Sequence, residues 1–411
     1  MYIVYFQCNI SQFTCDAGNC IEIKKRCDGF IDCQDKSDEN FCNIVDFGKS
    51  YSTQTPPREN RMHRTKLEVD LNIESIENIK ELDYSFTCRL IVTVKWKDGR
   101  LHFNNLIDGF TTIEKEEFEK IWKPSLILKN SLEYATTTKN GDAIMQILKQ
   151  NEGTLISEKE LHEGIKYDGK TNDIILTAVF DTDFGCSYQL HDYPFDSQIC
   201  TIDLSSPSNI KNNIMLVPGT ITYSGLSKTL PQFKLNIGTI KSNENGTVIQ
   251  GSIQLKRIPF YHILCTYLPT CCILSLAIAT LYFDESQFAT TIKISLTVML
   301  VLYTLFQSIS SNMPPTAYVK FLDIWLIFCL IMPFLIFVIE VAWELIKEIE
   351  KNITYPTIVK PINEENTLND GQYSTKTTKD KCKVTCQIGI PLVCGLFSII
   401  YVLFGILKHY T

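Results

Sequence analysis

Apolar and polar residues alternate with a period of two through the middle of the chain, then give way to long apolar runs. Leu67, Val69, Leu71 and Ile73 alternate with polar neighbours, and residues 86–94 do the same. Residues 174–180, 233–240 and 247–255 are of similar character. Alternation predicts half-buried strands, because successive side chains point to opposite faces. Asp98-Gly99, Asn140-Gly141, Asp168-Gly169 and Asn245-Gly246 supply turn chemistry between the runs. Many short strands with such turns predict a β-sandwich. Residues 114–121 predict a short helix, and residues 49–64, polar and containing Pro56-Pro57, predict a linker.

Four apolar runs follow. Residues 263–283, 324–339 and 384–407 are uncharged, and residues 286–319 carry one charge, Lys293. Each is long enough, or nearly so, to cross about 30 Å of hydrocarbon as a helix. Four crossings put both ends of the chain outside and residues 342–383, short and of mixed charge, inside. That inner segment predicts little structure beyond helical extensions of its neighbours. The second run splits into two faces at helical spacing. Ala289, Lys293, Thr297, Leu300, Thr304, Gln307 or Ser308, and Ser311 form one; Ile292, Leu296, Met299, Leu302, Phe306 and Ile309 form the other. A lysine against lipid costs about 2.5–3.5 kcal/mol on insertion scales. The stripe becomes tolerable if several such helices enclose water. Its alternative use is helix packing, but no acidic partner accompanies Lys293 in the same span.

Composition adds a second module. Six of the sixteen cysteines, Cys8, Cys15, Cys20, Cys27, Cys33 and Cys42, crowd the N-terminus. Such density points to an oxidising, extracellular compartment. The residues before Cys8 have no basic start or cleavage site, so a signal peptide is expected to have been removed or lost. So small a core needs covalent staples, and the pairing is open from the residues alone. Asp28, Asp32, Asp35, Asp38 and Glu39 crowd its second half. They form either a solvated acidic loop or oxygen ligands for a hard cation such as Ca²⁺. The net charge of -7, without a basic run, points away from nucleic acid. No nucleophile–base pattern or catalytic metal spacing suggests an enzyme.

Two resemblances sharpen these readings. The stretch CSYQLHDYPFDSQIC, from Cys186 to Cys200, resembles the signature loop of the Cys-loop receptors, the pentameric ligand-gated ion channels. Trp96-Lys97-Asp98-Gly99-Arg100-Leu101 and Ile121-Trp122-Lys123-Pro124 resemble further landmarks of that family. The phrases YQLHDYPFD and SLTVMLVLYTLFQSIS resemble an arthropod anion-channel branch that includes proton- and zinc-gated members. The CDGxxDCxDxSDExxC pattern resembles an LDL-receptor class A repeat. That family implies the pairs Cys8–Cys20, Cys15–Cys33 and Cys27–Cys42. It also implies Ca²⁺ held by the side chains of Asp28, Asp32, Asp38 and Glu39 and the carbonyls of Lys25 and Phe30. An aromatic residue usually stands where this chain has Lys25.

The channel resemblance implies a Cys186–Cys200 disulfide and a homo- or hetero-pentamer in the plasma membrane, in contact with lipid, with its N-terminus outside. It implies six segments: the repeat (1–45), a linker (46–65), a ligand-binding sandwich (66–258), three helices (259–341), a cytoplasmic loop (342–383) and a fourth helix (384–407). Counting back from Pro314 places Leu300 at the gating ring and Lys293 near the inner mouth, with Thr297 and Thr304 on the same pore face. Five lysines there favour anions, although Ala289-Thr290-Thr291 matches neither the anion nor the cation pattern of the family. Tyr193, Pro194 and Phe195 are expected to dock on the membrane domain, with Asp196 holding a charge at the junction. Trp96 and Trp122 are expected as core anchors, and Cys88 as a buried thiol.

The agonist region departs from the family. Pro207 stands where an aromatic is usual, the capping hairpin reads SNENGT, and Val92 and Thr93 replace an aromatic and an arginine. The small ligand therefore stays unknown, with Zn²⁺ or protons as candidates through His63, His102, His162, His191, His262 or His409. Asn9 and Asn245 head glycosylation sequons on the outer side, and Asn352 heads one on the inner side. A cation-selective channel, and a non-conducting adhesion or uptake receptor, are the alternatives.

Overall fold

A computed structural model describes residues 8–9, 11–40, 42–58, 63–133, 135–137, 143–155, 165–208, 210–353 and 370–410, with backbone alone at 155, 285, 350–353, 370–382 and 409–410. The alternating runs form two packed sheets. The larger has six strands in the order Ile214–Tyr223, Thr65–Lys80, Ser85–Trp96, Asp173–Gly185, Ile144–Leu148 and Phe110–Thr112. Its first pair is parallel and the remaining pairs antiparallel. The smaller runs Phe233–Ser242, Val248–Arg257, Ser197–Ser205 and Ile127–Leu128. Leu67, Val69, Leu71 and Ile73 point into the interface, as do Phe86, Cys88, Leu90, Val92 and Val94 from the neighbouring strand. This is the inward half of the period-two pattern. Trp96 and Trp122 meet edge to face inside the core, with ring centroids 5.9 Å apart. Burial pushes the Cys88 thiol up to about 12, so it stays protonated and unreactive.

The Asn245-Gly246 turn joins Phe233–Ser242 to Val248–Arg257, with Gly246 at φ 64°. The expected short helix is Lys115–Lys120. Asn140-Gly141 and His162 lie outside the described residues.

The segment expected as a linker is instead laid onto the sandwich. Val45–Phe47 pairs with Leu101–Asn104. Pro56 and Pro57 are buried. Tyr51 packs its ring on Phe47 and under the Arg100 guanidinium, and its hydroxyl accepts the Trp122 N–H at 2.8 Å. Arg100 bonds the fully buried Asp98 and also donates to the carbonyl of Thr55 at 2.9 Å. Polar composition suggested freedom, but a buried carboxylate and its arginine require partners, and the chain carbonyls of this segment supply them.

Among the described residues four helices are long and apolar enough to cross a membrane: Phe260–Thr280, Phe288–Ser311, Phe321–Ile349 and Lys383–Lys408. The second ends well before residue 319, because Pro314 and Pro315 cannot continue it. The third continues to Ile353 and the fourth begins at Asp370, so both extend inward from their apolar runs. Just before Pro269 the first helix widens into a π-type turn, Ile263–Tyr267, as expected where a proline disturbs the hydrogen-bond ladder. Residues 8–42 form a separate small module around a two-stranded hairpin, with Phe13, Cys15 and Cys33 at its centre.

Candidate functional site

The bonded pair Cys186–Cys200 closes a loop whose tip rests on the helical domain. Leu190 donates its N–H to the Tyr318 hydroxyl at 3.0 Å, and His191 stacks on the Tyr318 ring with centroids 3.6 Å apart. The N–H groups of Phe321 and Leu322 donate to the carbonyls of His191 and Tyr193 at 2.8 and 3.1 Å. These bonds satisfy the otherwise orphaned first turn of the third membrane helix. Tyr193 reaches the first membrane helix through its hydroxyl, 3.0 Å from His262 Nε2. Phe195 meets Phe321 edge to face and lies against Gly405 of the fourth helix, where an added Cβ would sit 2.8 Å from the ring. Asp192 is ion-paired with Lys408. The peptide bond before Pro194 is cis.

Asp196 turns inward rather than toward the membrane. Its carboxylate accepts from Arg257 Nε at 2.6 Å and Nη2 at 3.1 Å, and from the Gln198 side chain. Glu81 takes a further bond from Arg257. The guanidinium lies between the Tyr193 and Phe233 rings, 4.5 Å from each centroid. Burial alone would lower the guanidinium pKa, but Asp196 and Glu81 outweigh it and hold it above its ordinary value. Burial acts the other way on Tyr193: it disfavours the phenolate and holds the hydroxyl above its ordinary value, against the pull of Arg257. Sequence reasoning missed Arg257, Glu81 and Tyr318, and named His262 only as one of six histidines that could sense Zn²⁺ or protons, not as a partner of Tyr193. The one available signal for Arg257 was a basic residue just before the first apolar run.

On the second membrane helix, Lys293, Thr297, Leu300 and Thr304 are exposed on one side. Thr297 and Thr304 donate their hydroxyls to their own helix, at 2.7 and 2.8 Å, and so remain satisfied facing outward. The packed side is Thr291, Ser295, Val298 and Leu302. The apolar face is not packed throughout: Leu296 is 51% exposed, while the polar Thr291 and Ser295 lie inside. Ser295 donates to Glu340 of the third helix at 2.8 Å.

In the N-terminal module the bonded pairs are Cys8–Cys20, Cys15–Cys33 and Cys27–Cys42. Asp38 is fully buried. Its Oδ2 accepts the N–H groups of Asp32 and Cys33 at 2.6 and 3.2 Å, and its Oδ1 has no partner. Glu39 accepts the N–H groups of Asp28 and Gly29. Burial, with Asp28 and Asp38 nearby, holds its carboxyl above the usual range. The orphaned buried Oδ1 of Asp38 is the one feature here that a hard cation would answer; the carboxylates of Asp28, Asp32, Asp38 and Glu39 are not drawn into one close group in this structure. The side chain of Lys25 pairs with Asp32 at 2.8 Å, and Phe30 is exposed. Asn9 and Asn245 lie at the surface. Among the described residues the one close group of metal-capable side chains is Cys15, Cys33 and Asp35, and its two cysteines are bonded to each other. No histidine belongs to it.

The chain matches the neurotransmitter-gated ion-channel ligand binding domain over residues 43–257, more than half its length. It belongs to this family. As a Cys-loop receptor subunit it is not an enzyme. Residues 6–42 match the low-density lipoprotein receptor domain class A. A gamma-aminobutyric acid receptor subunit beta of Lymnaea stagnalis is 27% identical over 74% of this chain and 61% of its own. The beta-like subunit of Drosophila melanogaster is 24% identical over 65% of this chain and 53% of its own, and human subunit rho-2 is 25% identical over 74% and 65%. The chain thus spans 53–65% of the length of these three relatives.

Proposed function

We propose that this chain is a subunit of a pentameric ligand-gated channel in the plasma membrane, selective for anions and opened by an extracellular ligand. The carrying observation is the face Lys293–Thr297–Leu300–Thr304, exposed on a membrane-spanning helix. A lysine facing lipid is costly. Five such faces around water remove that cost and place five positive charges at one level, where Coulomb attraction concentrates anions. Leu300 then forms the apolar constriction. Lipid covers the outer faces of the other spans.

Agonist binding between neighbouring sandwiches shifts the Cys186–Cys200 loop. That loop moves the link that carries Tyr318 and the start of the third helix, and the second helix follows. Similarity to gamma-aminobutyric acid receptor subunits supports a small extracellular agonist, and Pro207 and the SNENGT hairpin favour one that does not need an aromatic cage; Zn²⁺ and protons are the first to try. The N-terminal module holds Ca²⁺ through Asp28, Asp32, Asp38 and Glu39, with the carbonyls of Lys25 and Phe30, which clamps its acidic half.

Expression in oocytes under voltage clamp, with amino acids, amines, Zn²⁺ and pH steps applied in turn, identifies the agonist. Lys293→Glu is expected to move the reversal potential away from its chloride dependence. An unchanged chloride dependence overturns the selectivity reading in favour of another selectivity element. A cation-dependent reversal in the unaltered chain selects the cation-channel alternative, and currents from a chain lacking residues 1–45 exclude a role confined to adhesion or uptake.

A further inference from the structure

At the inner end of the helix bundle a cleft opens between all four membrane helices of one chain. The empty space within it is about 460 Å³, open solvent at its mouth included. Leu281, Phe288 and Trp343 give it apolar walls, and Glu340 faces into it. Glu340 is only 5% exposed; Oε2 accepts the Ser295 hydroxyl, and Oε1 is buried with no hydrogen-bond partner. A carboxylate can accept several hydrogen bonds, and one buried inside a membrane bundle is costly unless something pairs with it. The other charged groups on the cleft are Asp284, Glu344, Lys347 and Lys383; Glu344 and Lys347 pair at 3.6 Å, and the Lys383 ammonium already lies 6.0 Å from the centroid of the Trp343 ring.

The chemistry of the walls selects the occupant. A small multivalent metal needs several converging oxygens, and Glu340 belongs to no such group among the described residues. A single buried, unpartnered carboxylate oxygen behind aromatic and aliphatic walls suits an organic ammonium. The charged head pairs with the oxygen, the rings attract its positive edge, and the hydrocarbon tail fills the mouth. We propose that this cleft binds an alkylammonium ligand, its N–H donating to Glu340 Oε1 and its tail lying against Leu281, Phe288 and Trp343. The site is complete within one chain, requires no current and is independent of which agonist opens the channel.

The test uses the full chain in phosphatidylcholine vesicles, with 4-bromophenethylammonium as the probe, its bromine quenching nearby tryptophan fluorescence. Saturable quenching is expected, most of it lost in Trp343→Phe. The neutral isostere 4-bromophenethyl alcohol is expected to bind about tenfold more weakly to the unaltered chain. Glu340→Gln is expected to weaken the ammonium by a similar factor. Equal half-saturation for ammonium and alcohol overturns the proposal, and this comparison needs no variant to fold. Quenching that rises linearly without saturating, that survives Trp343→Phe, or that is unchanged in a folded Glu340→Gln chain overturns it as well.

Discussion

Asp196 and Glu340 are both buried acids, at the outer and inner ends of the membrane domain, and their surroundings differ in kind. Asp196 receives two bonds from Arg257 and one from Gln198, so its charge is matched and both oxygens are engaged. Glu340 receives one bond, from a neutral hydroxyl. A matched buried pair fixes geometry; a half-matched acid leaves capacity for something else. The outer end is therefore built as a joint and the inner end as a receptacle.

Substitutions should separate the two. Asp196→Ala strands Arg257 inside the sandwich with Glu81 alone. The expected cost is about 3–5 kcal/mol, the usual result of breaking a buried pair, read as a large fall in the thermal midpoint of the purified protein. A midpoint within a degree or two of the unaltered chain would mean that the joint is idle. Replacing Cys186 and Cys200 together by serine releases a loop of about fifteen residues, worth roughly 3 kcal/mol of chain entropy. If the loop is the link between the domains, agonist-evoked current should fall further than surface expression does. Glu340→Gln keeps an acceptor for Ser295 and removes an unmatched charge, so a midpoint change below about 1 kcal/mol is expected. A loss as large as that of Asp196→Ala would show Glu340 to be a joint after all.

The smallest effect concerns Glu117, which accepts the Val45 N–H at 2.9 Å and ties the start of the sandwich to its short helix. Burial raises its pKa in the folded chain. The folded state therefore binds this proton more tightly than the unfolded state. The stabilising contribution is complete below the ordinary glutamate value of about 4.3 and fades as pH rises through the folded value. Thermal melts on either side of that range should show the fade in the unaltered chain and lose it in Glu117→Gln. A fade of equal size in both would assign it to other groups.

The strands were legible because burial on one face leaves a period of two, as Leu67 to Ile73 illustrate. The docking of Tyr193 and Phe195 could be anticipated from the family loop. Arg257 could not be matched to Asp196, since they are separated by 61 positions and nothing in either neighbourhood names the other. Ser295 was hidden because one polar stripe on the second helix was read as one exposed face, whereas the bundle buries a second polar strip against Glu340. Glu340 itself lies one position beyond the uncharged run of the third span, where a carboxylate looks like the end of a membrane segment rather than part of its interior. The segment around Tyr51 was misjudged because it is held by one tyrosine side chain and by backbone carbonyls that bind Arg100, neither of which polar composition reveals.

Gly405 has a consequence at the scale of the whole chain. The fourth helix runs from Asp370 to Tyr410, 41 residues with Pro391 inside it, or about 60 Å at 1.5 Å per residue. Without a side chain at 405, its outer end lies flush against the Phe195 ring. A rod of that length turns a tilt of a few degrees into several ångströms of travel at its far end. Whatever pulls on the inner tip, whether a cytoplasmic partner or a change in lipid thickness, therefore arrives at Phe195 as displacement, giving the loop a mechanical input from the opposite side of the membrane.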